Sequence, residues 1–180
     1  MRGGGIGPLQ HRCEEILERL GLSHPFTLEE LVGAISKSRG RPLQVVYQDI
    51  GPGEKMPCGV WVPLPEGDVV VVESRTSRAH QEHICLHELA HILCAHTGAK
   101  VLAAGYLAKL LPDIAPEKVA TMLARTSYGS EQERDAEAMA TLLGRFLAPG
   151  GADGDRVRRA HKGAGDDVLG ELAKALRLGT

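Results

Sequence analysis

Apolar residues recur along most of this chain at two spacings, one suited to helices and one to strands. In residues 9–20, Cys13, Ile16, Leu17 and Leu20 share one helical face, and Gly21 follows as a stop. A second helix is predicted from Thr27 to about Arg39. Thr27 is its N-cap, Glu30 completes a capping box, and Phe26 and Leu31 stand where a hydrophobic staple puts them. Gly40 and Pro42 end it. Residues 43–49, 58–62 and 69–73 then read as three strands, the last two joined by the turn-rich stretch 63–68.

The next apolar stretch is a helix opened by Ser77. No Gly or Pro occurs from Arg78 to His96, and Gly98 is the expected stop. Ile84, Leu86, Leu89, Ala90, Ile92 and Leu93 cover much of its circumference, so burial is expected. Helices follow over 102–111, from Pro116 to about Arg125, and over 131–147, with 126–130 as a loop. Pro149-Gly150-Gly151 is the clearest linker, and helical segments are expected beyond it at 155–162 and 167–178. The division is a domain over 1–149 and a helical extension over 150–180. No internal repeat is present.

Composition narrows this little. The 180 residues carry a net charge of −2, which gives no electrostatic case for nucleic acid. One Trp, three Tyr and two Phe are the only aromatics. No window is apolar enough to span a membrane, and the start, Met1-Arg2-Gly3-Gly4-Gly5, has no apolar signal region. Four cysteines (Cys13, Cys58, Cys85, Cys94) form no C-x-x-C pair, so a reducing cytoplasm is expected. The first two helices resemble a helix-turn-helix only superficially. Their connection is long, and the second begins with Glu29-Glu30 where base edges would be met. The cluster Arg156, Arg158, Arg159, His161 and Lys162 reads as a solvated helix face, and direct nucleic-acid binding is not expected.

The chemistry lies in His87-Glu88-Leu89-Ala90-His91, an H-E-x-x-H run on the expected buried helix. Histidines four apart on a helix differ by about 40° and about 6 Å of rise. Both imidazoles can reach one metal ion, and Glu88 can reach a water beside it, as in zinc proteases. Three protein ligands are usual. His96, five residues past His91, points about 140° away on a continuous helix. His80 and His83 lie too far back along it and read as a polar rim, with a substrate contact by His83 as the lesser reading. The better source is Glu133-Arg134-Asp135-Ala136-Glu137, where Glu133 and Glu137 share a face and Ala136 and Ala140 permit close packing. Glu133 as ligand, with Glu137 holding a histidine through its other nitrogen, is one assignment. Glu137 as ligand is another. In a third, Ser130-Glu131-Gln132-Glu133 is a capping box and Glu133 is structural. Tyr128 is a candidate oxyanion donor or substrate contact, and the strand at 58–62 a candidate partner for extended substrate. Cys58 reads as a packed residue at the start of its strand, the alternative being a thiolate that blocks the metal.

The HELAH helix, the later Glu-Arg-Asp-Ala-Glu helix, the preceding strands and the two N-terminal helices together resemble the ImmA/IrrE family of bacterial zinc metallopeptidases. The resemblance covers residues 9–147. It implies an α+β, mostly helical, zincin-like fold with a small three-stranded antiparallel or mixed sheet. It also implies a gluzincin-type site with Zn2+ on His87, His91 and Glu133, and Glu88 as general base. The family usually has Asn or Asp at the position of Glu137. Its members commonly cut a partner repressor of the helix-turn-helix (XRE) type, so an endopeptidase acting on such a repressor is expected. The alternative is a non-catalytic zinc fold that binds and sequesters the repressor.

Overall fold

The computed structural model describes residues 7–49, 58–63, 67–96 and 129–148. The helices expected over 102–111 and 116–125, Gly98, Tyr128 and the whole extension with its basic cluster lie outside the described residues. In chain order the elements are α1 (Pro8–Leu20), α2 (Leu28–Arg39), β1 (Leu43–Gln48), β2 (Gly59–Pro63), β3 (Asp68–Glu73), α3 (Arg78–Leu93) and α4 (Ser130–Phe146). The fold is α+β, with four helices and a three-stranded mixed sheet among the described residues.

Local signals place the first two helices. Pro8 opens α1, where its missing N–H costs nothing, and Gly21 closes it at φ 69°. At α2 the Thr27 hydroxyl accepts the Glu30 N–H at 3.1 Å, and the Glu30 carboxylate accepts the Thr27 N–H at 2.7 Å. The pair packs on the body of the molecule. Phe26 forms a β-bridge with Leu147, donating to the Phe146 carbonyl at 3.1 Å and accepting from Ala148 at 2.8 Å.

In the sheet, β3 is central, with β1 parallel on one side and β2 antiparallel on the other. Residues 68–72 of β3 are all buried, which is why the strand reads as a continuous valine run rather than an alternation. At its start the buried Asp68 carboxylate accepts from Arg39 Nε at 2.8 Å and from the Trp61 indole at 3.0 Å, with Arg41 Nε 3.4 Å away. The Arg39 guanidinium also lies 5.6 Å from the Trp61 ring centroid. This cluster ties the end of α2 to β2 and β3.

Helix α3 packs against β2, β3 and α4. Its N-terminus is fixed by Ser77, whose hydroxyl accepts the His80 N–H at 3.3 Å, and by Gln81, whose amide donates to the Ser74 and Thr76 carbonyls at 2.8 and 2.9 Å. Ala136, Met139, Ala140 and Leu143 form the buried face of α4, and Leu86 and Leu89 are buried on α3. Strand ends shift by one residue, and two helix ends beside the histidines differ from expectation. The helix carrying HELAH ends at Leu93, not near Gly98. Ala95 adopts a left-handed conformation (φ 53°), so that Ala95 N–H bonds to the Ile92 carbonyl and His96 N–H to the His91 carbonyl at 3.0 Å. Helix α4 takes Gly129, not Ser130, as its N-cap, and Gln132 rather than Glu133 reaches back, accepting the Gly129 N–H at 3.0 Å.

Candidate metal centre

The packing of α3 on α4 brings His87 and His91 against Glu133. His87 Nε2 lies 3.1 Å from His91 Nε2 and 3.3 Å from Glu133 Oε2, and His91 Nε2 lies 3.8 Å from Glu133 Oε1. A tetrahedral ion with metal–nitrogen bonds of about 2.0–2.1 Å separates its ligand atoms by about 3.3 Å. The spacings bracket that value, and these three side chains form a group able to hold a metal ion. His91 is fully buried, whereas His87 and Glu133 are partly open, so one side of the group faces solvent. Two imidazoles and a carboxylate are a donor set that suits zinc and several neighbouring divalent ions.

The outer nitrogens of both histidines are engaged. His87 Nδ1 lies 3.2 Å from Glu137 Oε2, and His91 Nδ1 lies 3.0 Å from His96 Nδ1. A carboxylate against Nδ1 places the proton there and leaves the Nε2 lone pair of His87 directed at the group. Glu137 also spans to His83, whose Nε2 lies 3.0 and 3.2 Å from its two oxygens. His83 therefore belongs to the partly exposed rim between the helices, and His80 is held apart at Thr76 Oγ1, 3.1 Å from its Nδ1. With the cap taken by Gln132, Glu133 has its side chain on the histidines rather than on its own helix end.

Glu88 is buried, and its Oε2 accepts the backbone N–H of Trp61 in β2 at 3.0 Å. The strand can come this close because residue 59 is glycine. A Cβ there would collide with the Ile84 side chain and sit 3.3 Å from Glu88 Cγ and Oε1. Cys58, at the mouth of β2, is exposed and is not one of the three grouped ligands. The other three cysteines are buried and free. Burial raises the Cys13 thiol to about 11 and pushes those of Cys85 and Cys94 up as well, keeping all three protonated. Burial also lowers the basicity of His96.

Three participants escape sequence reasoning. His96 points away from His91 only on a continuous helix, and the left-handed Ala95 breaks that helix. Gly59 and the Trp61 N–H carry no side-chain signal, since a backbone donor and a missing Cβ leave no mark in residue spacing. Compared with protein-family models, curated proteins and solved structures, the chain gives no match.

Proposed function

We propose that this chain is a zinc-dependent endopeptidase of the ImmA/IrrE type, working in the reducing cytoplasm on a helix-turn-helix repressor. The observation that carries this reading is the convergence of Glu133 on His87 and His91, with Glu88 next to His87 in the chain and held by the Trp61 N–H. A metal held only for structure has no use for a carboxylate next to a ligand histidine. The four free thiols support the compartment. The repressor substrate is inferred from the family resemblance.

His87, His91 and Glu133 would hold the zinc, which would supply Lewis acidity to the site near neutral pH. Glu88 accepts the water proton and delivers it to the leaving amine. The Trp61 N–H holds one carboxylate oxygen, so the base is oriented before substrate arrives. Glu137 keeps the His87 tautomer that presents Nε2 inward.

The test is Glu88→Gln, assayed by mass spectrometry on a repressor encoded beside this gene. Cleavage is expected to fall by about 10²–10⁴-fold, with zinc content unchanged. Undiminished cleavage by the variant contradicts the mechanism. A stable complex with no cleavage by zinc-loaded wild-type protein establishes sequestration instead.

A further inference from the structure

We infer that His96 is a positioning residue for the metal ligand His91, accepting the Nδ1 proton of that imidazole and so fixing its tautomer; the inference rests on the metal-centre reading above. The two Nδ1 atoms lie 3.0 Å apart, and both side chains are buried. An imidazole that gives its Nε2 lone pair to a metal carries its proton on Nδ1. His91 has no exposed surface, so water has no access to that proton and the protein must take it. His96 presents a ring nitrogen at hydrogen-bond distance. To accept, His96 must itself be neutral, with its own proton on Nε2.

The backbone is built to make this contact. Side chains five apart on a straight helix diverge by about 140°. Ala95 takes φ 53° instead, and the turn it creates returns His96 beneath His91, closed by the His96 N–H to the His91 carbonyl at 3.0 Å. A non-glycine residue in the left-handed region is disfavoured because its Cβ crowds the following carbonyl. Such conformations persist where the surroundings determine them and cluster at functional sites.

The two ligand histidines are therefore held by different chemistry. His87 is backed by the Glu137 carboxylate, which accepts its Nδ1 proton. His91 is backed by a neutral ring, which fixes orientation while adding no charge. His96 contributes no ligand atom and touches no reacting atom. It acts through His91.

Long-range proton–nitrogen correlation on the zinc-loaded full chain, labelled with 15N-histidine, reads the tautomers directly. The expected result is His91 protonated at Nδ1, with His96 protonated at Nε2 and bare at Nδ1. A proton on His96 Nδ1 overturns the inference, because that nitrogen then cannot accept. Zinc affinity by chelator competition gives the second reading. His96→Phe keeps a ring but has no acceptor, and is expected to weaken zinc binding by about 10–100-fold. His96→Asn puts an amide oxygen near the position of Nδ1 and is expected to recover most of that loss. Wild-type affinity in His96→Phe overturns the positioning role and leaves the metal centre standing. A wild-type chain that binds no zinc overturns both.

Discussion

The glycine at position 59 and the alanine at 95 are small residues with opposite consequences. Gly59 lets β2 pass over α3 close enough for the Trp61 N–H to reach Glu88. Gly59→Ala is therefore expected to displace the strand, lowering peptidase turnover by at least about tenfold while one zinc still binds. Paired turnover and metal assays check this. A loss of metal with turnover would place Gly59 in general packing instead. At Ala95 the backbone already favours glycine. Ala95→Gly is expected to raise stability by about 0.5–1 kcal/mol in a denaturant melt, the left-handed strain relieved exceeding the added chain entropy. Neither residue was legible as functional in the sequence. HELAH was, because a four-residue spacing on a helix fixes the relation of two side chains regardless of the rest of the fold. Glu133 was half legible. Spacing offered it as ligand or as cap, and the helix start at Gly129, with Gln132 in the cap, separated the two in the structure.

The elements themselves were largely written in local chemistry. The Thr27 capping box, the Gly21 and Gly40 stops and the four-valine run of β3 each depend on residues within one turn or one strand, and each occurs as read. The end of α3 did not, because Gly98 outweighed Ala95 on propensity alone, while the turn at Ala95 depends on where a buried His96 can go. The pairing of α3 with α4 joins segments far apart in sequence and rests on Ala136 and Ala140, both without exposed surface. Ala140→Leu is expected to overpack this seam, costing about 1–3 kcal/mol in chemical denaturation and weakening zinc binding by moving Glu133 away from the histidines. If the variant keeps wild-type stability, the seam is looser than described.

Over the whole molecule, the buried Asp68 cluster and the three buried thiols report on global folding. Asp68 read as an ordinary turn residue at the end of 63–68, because its partners Arg39, Arg41 and Trp61 come from other elements. The thiols give a pH signature. Burial raises the Cys13 thiol from 9.0 to about 11, so between those values the unfolded chain has lost a proton that the folded one keeps. Stability is then complete below about pH 9 and falls as pH rises towards 11, a slope that Cys13→Ala should reduce in melts across that range. The three strands follow one another between helical runs rather than alternating with them, which suits the α+β class that the resemblance implies.

The central claim is a metal centre made of His87, His91 and Glu133. Competition between the purified chain and a chromophoric chelator for zinc tests it most directly, using wild-type protein, Glu133→Ala and Glu137→Ala. One tightly bound zinc per chain is predicted for wild type, with a loss of about 10–100-fold for Glu137→Ala and a larger loss for Glu133→Ala. Wild-type affinity in Glu133→Ala, or no zinc bound by the wild-type chain, would contradict it.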